Sequence, residues 1–417
     1  KAVPQVAVTP STTNSRSPLL IRYNDDWYDL SSWRMAHPAG AHWIDGFRDR
    51  DATEVIDAFH SDEGQQMARR LPRAKAPPDV YPPDVTPLTQ SFRELRERLL
   101  AEGWWKRDTR QELQAIAPCL ALVAAGTAMA RTAPVLATIA LALGSTGAGW
   151  LGHDYIHGRG RLCTWLRGFG GLVNGHSSFW WSNKHNLHHA CTNEIGVDED
   201  IMSDPFFYLW PPAPGADRRS RRLQHVYTPF VYSILFALWR FNSLRALRTV
   251  RGLWKVDGPM IAINYLWMLL FLPLPVAVGH VLLAGFMSAT IVTSTHQTEE
   301  LFEDVQHDWV RAQLLSTRNA ATTNPFSEWL WGGMQYQLEH HLFPTMPRYR
   351  YRLLQPILRK FCAENGQEYR IDGEFALLAR NWKMLRDVAL APPRNDAPPT
   401  RSDTVWARRD GAAWTGG

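Results

Sequence analysis

The chain has 417 residues, of which 45% are hydrophobic and 20% charged, and a formal net charge of +5. This composition excludes intrinsic disorder and leaves enough apolar material for a sizeable core. The small basic excess flanks apolar segments without interleaved aromatics, so no nucleic-acid partner is expected. Four scattered cysteines without a C-x-x-C pair argue against a disulfide framework or a cysteine zinc site.

Residues 1–18 are rich in Pro, Ser and Thr and read as a flexible N-terminus. No apolar run follows them, so no secretory signal is expected. Residues 19–72 read as a small α+β module. Leu19–Tyr23 is a strand, Asn24-Asp25-Asp26 a turn and Ser31 a helix cap. His37 lies in H-P-A-G and His60 in F-H-S. Two imidazoles placed at such boundaries can clamp one haem iron axially, or can be two surface histidines. Residues 73–90 are Pro-rich and read as an extended linker.

Two apolar blocks follow. Leu113–Arg131 and Thr132–Gly149 are separated by Arg131-Thr132-Ala133-Pro134, and Pro259–Leu274 and Val276–Thr293 by Pro273-Leu274-Pro275. Each half has about 18 residues, enough to cross a hydrocarbon core of about 30 Å as a helix. Buried hairpins of a soluble protein are the alternative, but the length of apolar sequence and the flanking charge favour four crossings. Between the blocks, Arg218, Arg219, Arg221, Arg222, Arg240, Arg245, Arg248, Arg251 and Lys255 mark a cytoplasmic face. Within that stretch Tyr227–Trp239 reads as an interfacial helix rather than a fifth span. Many of the 19 Trp flank the apolar blocks, as interfacial anchors do. Two hairpins leave everything else, including the histidine clusters below, on one side of the membrane. Residues 391–417 read as a flexible tail.

Seven of the 15 His fall in three clusters. His153 and His157 form H-D-Y-I-H, His185, His188 and His189 form H-N-L-H-H, and Gln337, His340 and His341 form Q-L-E-H-H. His296 stands alone in S-T-H-Q-T-E-E. Helical residues at i, i+3 and i+4 lie on neighbouring faces, so each cluster projects together. Imidazole suits Fe, Zn and Cu, and eight His exceed what one tetrahedral zinc needs, so two metals are expected.

The strings H-D-x-x-H, W-W-S-N-K-H-N-L-H-H-A-C-T-N and G-G-M-Q-Y-Q-L-E-H-H-L-F-P-T-M-P-R resemble the membrane fatty acid desaturases. The resemblance is to the front-end class, which has Gln at the head of the third box and a fused cytochrome b5 domain. Residues 19–72 resemble that domain, with His37 and His60 at its haem-ligand positions. The insect-type cytochrome b5-related proteins share this overall plan. The resemblance implies a small haem-binding domain followed by an all-α membrane domain over residues 91–390, with four transmembrane helices and a cytosolic helical cap. It implies a di-iron centre on the seven clustered His, with His296 a further ligand and Gln337 bound directly or through water. It also implies O2 as cosubstrate and electrons from NADH through cytochrome b5 reductase and haem b. The substrate would be an acyl-CoA or acyl-lipid in the endoplasmic reticulum membrane, and the product a cis double bond.

Ala39 stands where the cytochrome b5 family has its first motif Gly. If that position needs positive φ, the replacement costs about 1 kcal/mol. Asp154, Asn193 and Glu339 are candidates to orient the ligating imidazoles, and Trp180 and Trp181 either to line an acyl tunnel or to anchor the membrane interface. His42, His176, His225, His280 and His307 match no box and read as structural or surface residues. A sphingolipid desaturase, an acyl hydroxylase and a non-catalytic electron-transfer or lipid-binding relative are the rival readings.

Overall fold

The computed structural model describes residues 18–77, 85–396 and 398. Most of the two expected flexible ends and the middle of the Pro-rich linker lie outside the described residues.

The N-terminal module is a three-stranded antiparallel sheet, β1 (Leu20–Tyr23), β2 (Asp26–Asp29) and β3 (Arg73–Ala74), carrying three short helices. Asn24 takes the left-handed conformation in the β1–β2 turn, which Asn tolerates at little cost. Ser31 does not cap a helix. Its Oγ accepts from the Leu19 amide and donates to Asp29, pinning the entrance to β1. Helix α1 (Ala41–Gly46) follows the H-P-A-G turn. Helix α2 (Thr53–Phe59) ends at His60, and α3 (Asp62–Ala68) is capped by the Ser61 hydroxyl.

The C-terminal end of the expected linker is helical: α4 spans Pro87–Ala101, with Thr86 as N-cap and Pro in its first turn. Its stripe Leu88, Phe92, Leu95 and Leu99 is buried at helical spacing. On the other side Arg93 pairs with Glu54 and Asp51, and Arg96 with Asp57. Helix α4 is therefore a strut between the N-terminal module and the rest, and one apolar core runs from Ile21 and Val55 through Phe92 to Trp309 and Phe343.

Helices α5 (Thr109–Met129) and α6 (Pro134–His157) form the first apolar hairpin. A Cβ on Gly144 would lie 2.9 Å from the Cys119 carbonyl oxygen, so only glycine permits this approach. After the short α7 (Arg161–Leu166) and α8 (Phe169–Asn174) comes α9 (Ser178–Ala190). The segment expected to be one interfacial helix breaks at Ile234 into α10 (Gln224–Ser233) and α11 (Leu235–Thr249). Neither is long enough to span. They expose Val226, Phe230, Phe241 and Leu244 beside the arginines, as an interfacial pair does.

The short α12 (Leu253–Val256) leads into the second hairpin, α13 (Gly258–Phe271) and α14 (Leu274–Ser294). Among the described residues, three helices, α5, α6 and α14, are long and apolar enough to cross a membrane. The expectation of four full spans needs this correction: α13 has 14 residues, about 21 Å of rise, because Asp257 and the Leu272-Pro273 turn bracket it. Its Leu269, Leu270 and Phe271 are exposed like the outer faces of its neighbours.

The remaining elements cap one end of the hairpins. They are α15 (Trp309–Ser316), α16 (Pro325–Trp331), α17 (Gln337–Leu342), α18 (Tyr351–Glu364) and α19 (Glu374–Leu390). A parallel pair, β4 (Asn319–Ala321) and β5 (Ile371–Gly373), ties them together.

Candidate metal centre

Three helices and one turn converge beneath the cap. Helix α6 brings His153 and His157 on its last turns, α9 brings His185, His188 and His189, and α17 brings Gln337, His340 and His341. His296 enters from the turn after α14. All eight imidazoles gather, in two groups. His153, His157, His185, His189 and His340 form one, and His188, His296 and His341 the other, with candidate ligand nitrogens in each within 4.8 Å of one another.

Helix geometry explains the division. Residues at i and i+4 point almost the same way, so the pairs 153/157, 185/189 and 337/341 stay together. Adjacent residues are about 100° apart, so each H-H doublet splits, one ring to each group.

The spacing fits metal ligation. Two nitrogens each about 2.1 Å from one ion and at right angles lie about 3 Å apart. The Nε2 of His185 is 2.9 Å from that of His153 and 3.1 Å from that of His189. Both ring nitrogens of His157 and Nε2 of His340 are buried without a hydrogen-bond partner, which is costly unless a ligand uses them. The Gln337 amide lies 2.7 Å from His296 Nε2 and 3.4 Å from His341 Nε2, so it joins the three-histidine group. Burial, reinforced by the other imidazoles, pushes His185, His189, His340 and His341 well below the ordinary histidine range. Burial and His188 bring His296 down to about 3. Neutral rings are the ligating form.

Other residues orient the rings. His188 donates through Nδ1 to Asp198 at 2.8 Å, and His185 is 3.3 Å from Asp200. His296 Nδ1 donates to the Ser316 carbonyl, His341 Nδ1 to Gln313 Oε1, and His340 Nδ1 lies 3.2 Å from the Tyr351 hydroxyl. None of the expected orienting residues does this. Asp154 pairs with Arg107, Asn193 bonds the carbonyls of His296 and Glu300, and Glu339 accepts from Tyr369 and Asn319. Burial raises Glu339 to about 7. The acidic run Asp198-Glu199-Asp200, shortly after the second box, was a readable signal, whereas Gln313 and Tyr351 had none.

A cavity of about 320 Å³ opens onto both groups. His153, His188, His296 and Gln337 form part of its wall, and Val231, Leu235, Phe236, Trp239 and Val292 supply apolar surface. Trp180 and Trp181 line it, and the Trp181 ring lies 4.2 Å from that of His185. His176, expected to be unrelated to the site, also lines this cavity.

In the N-terminal module the rings of His37 and His60 face each other with centroids 6.2 Å apart. Two metal–nitrogen bonds of about 2 Å across one iron require a separation of about 6 Å. Each Nδ1 donates to a backbone carbonyl, of Gly40 and Ile56, so both Nε2 atoms remain for a metal. Burial, then the charge of the facing ring, lowers His37 to about 4. The positive φ of the motif belongs to Gly40, at 106°, and Ala39 is not among the positive-φ residues. The expected backbone cost of Ala39 therefore does not arise.

The sequence profile described as "Fatty acid desaturase" matches residues 130–373, and that of the "Cytochrome b5-like Heme/Steroid binding domain" matches residues 9–76. The chain belongs to the fatty acid desaturase family. It is 30% identical to an acyl-lipid 8-desaturase of Rebecca salina, over 92% of this chain and 95% of that one. It is 28% identical to a Delta(6)-fatty-acid desaturase of Caenorhabditis elegans, over 89% and 97%. Fatty acid desaturase 3 of Bos taurus is 28% identical over 82% and 84%. The protein is thus a desaturase of the front-end class with a fused cytochrome b5 domain, an oxidoreductase and an integral membrane protein whose family uses iron and haem.

Proposed function

We propose that this desaturase inserts a cis double bond into the acyl chain of a lipid or acyl-CoA, toward the carboxyl end of the chain. The observation that carries the reading is the division of eight buried imidazoles into two groups on the wall of a largely apolar cavity. In this reading His153, His157, His185, His189 and His340 hold one iron, and His188, His296 and His341, with Gln337, hold the other. His37 and His60 hold haem b. The irons, with O2, supply the oxidant that an unactivated C–H bond requires.

The chain's own residues do the rest. Asp198, Asp200, Gln313 and the Ser316 carbonyl fix the ligand rings. Trp181 packs against His153 and His185 and keeps water from that side. Phe236, Trp239 and Val292 give an acyl chain an apolar wall. Each double bond consumes one O2, two electrons and two protons. The electrons come from NADH through a reductase acting on the cytochrome b5 domain. The arginine-rich stretch between the hairpins supports a cytosolic placement of cap and haem domain in the endoplasmic reticulum membrane.

Expression in a desaturase-deficient yeast, with mass spectrometry of total lipids, tests this. A new cis alkene that disappears in His340→Ala is expected. Hydroxylated acyl chains or desaturated sphingoid bases as main product, or full activity in His340→Ala, overturn it.

A further inference from the structure

The haem-domain ligand loop and the iron-ligand helix touch directly. Phe59, the residue before His60, places its ring 6.1 Å from the His189 ring and 6.3 Å from the His157 ring, centroid to centroid. Arg159, two residues after His157, donates to the carbonyl oxygens of His157 and Gly158 on its own side and to the Phe59 carbonyl oxygen across the seam. One guanidinium thus joins the backbone of one redox-ligand segment to that of the other. The surroundings hold the same join. Arg50 donates to the Gln306 carbonyl at 2.8 Å, and Arg96 donates to the Asp57 carbonyl and pairs with the Asp57 carboxylate.

The chemistry of the two residues suits this place. A phenyl ring between two sets of imidazoles fills space without offering a ligand or a proton, whereas His, Asp or Cys there would compete for a metal. Hydrogen bonds from a charged donor are the strong ones, and Arg presents several donors in one rigid fork. A domain joined only by a flexible linker meets its target at an effective concentration of about millimolar. A fixed contact removes that search.

We propose that Phe59 and Arg159 are positioning residues that lock the haem domain onto the iron site, so that electrons pass within a fixed assembly rather than by tethered collision. The inference rests on the reading of His37 and His60 as haem ligands and of the histidine groups as iron ligands. The same contact gives the haem domain a direction. His60 directly follows the Phe59 that touches the iron site, and His37, beside Trp33 and near the exposed Met35, lies across from it.

The test uses the full-length, metal-loaded protein and the variants Phe59→Ala, Arg159→Gln and Arg159→Lys. Haem and iron content are measured first. Loss of either from the wild type defeats the underlying reading, not the seam. Hydrogen–deuterium exchange of residues 53–61 then reports docking. Stopped-flow absorbance follows re-oxidation of ferrous haem on mixing with O2 and an acyl substrate. The expected result is faster exchange in Phe59→Ala and Arg159→Gln with the haem spectrum unchanged. Haem re-oxidation should slow in both, by about tenfold in Arg159→Gln, the loss that a charged hydrogen bond of ordinary strength implies, and Arg159→Lys should restore part of it. Should Arg159→Gln lose iron, Phe59→Ala, which removes no polar group, decides the question. Wild-type exchange and wild-type re-oxidation in Phe59→Ala overturn the proposal.

Discussion

Gln337 sits one helical turn before His341 and shares its face, so its amide belongs to the three-histidine group. An amide oxygen is a weaker, neutral donor compared with imidazole. Gln337→His should keep part of the activity and Gln337→Ala almost none, read as double-bond formation in cells expressing each variant. An unaffected Gln337→Ala makes Gln337 a packing residue. Asp198 acts one step further out. As a carboxylate it accepts from Nδ1 of His188 and leaves Nε2 free. An Asn amide can donate there instead and turn the ring's proton to the wrong nitrogen. Asp198→Asn should weaken iron retention about 10–100-fold, measured as iron content after dialysis against a graded chelator. Unchanged iron retention would show that His188 needs no such partner. Sequence reasoning favoured Asp154, Asn193 and Glu339 because they adjoin the boxes. Adjacency along a helix, however, puts a residue about 100° away from its neighbour, so Glu339 faces Tyr369 and Asn319 while His340 joins the five-imidazole group.

At the scale of elements, α4 shows how proline misleads. The Pro-rich stretch reads as an extended linker, yet Pro87 sits in the first helical turn, where a missing N–H costs nothing. The helix then joins the two domains through Arg93, which pairs with Glu54 and Asp51. Glu54 is buried, and burial raises its pKa. Removing the partner of a buried charge typically costs about 3–5 kcal/mol. Arg93 is itself partly exposed, so solvent screening brings the expected loss for Arg93→Ala below that range, to about 2–3 kcal/mol. Thermal unfolding followed at the haem absorbance band should report it, and an unshifted midpoint would mean that α4 is held by its apolar stripe alone. Helix α13 makes the opposite point. Its apolar composition read as a full span, and the break at Pro273-Leu274-Pro275 was legible, but the helix ends at Phe271 and has only 14 residues.

The whole molecule is arranged so that α6 and α14 both end beneath the cap, bringing His157 and His296 to the same side. With the arginines that precede α10 and those of α11 also counted on that side, it should face the cytosol. Epitope tags at either terminus, or inserted beside Arg219, should be cut by protease added to sealed microsomes. Protection of any of these tags would invert the topology.

What the sequence determined by itself is what depends on local spacing. The i, i+4 pairs set which imidazoles share a helix face, the length of apolar runs marked the hairpins, and the H-P-A-G and F-H-S strings picked out His37 and His60, whose rings lie together. The tertiary structure alone decided which faces meet. The division into five and three imidazoles, the roles of Asp198, Gln313 and Tyr351, and the contact of Phe59 with His157 and His189 all join residues from separate elements. Periodicity states the direction of a side chain about its own axis. The crossing angles and separations of helices follow from the packing of whole surfaces, such as the approach that Gly144 permits, and no local pattern carries that information.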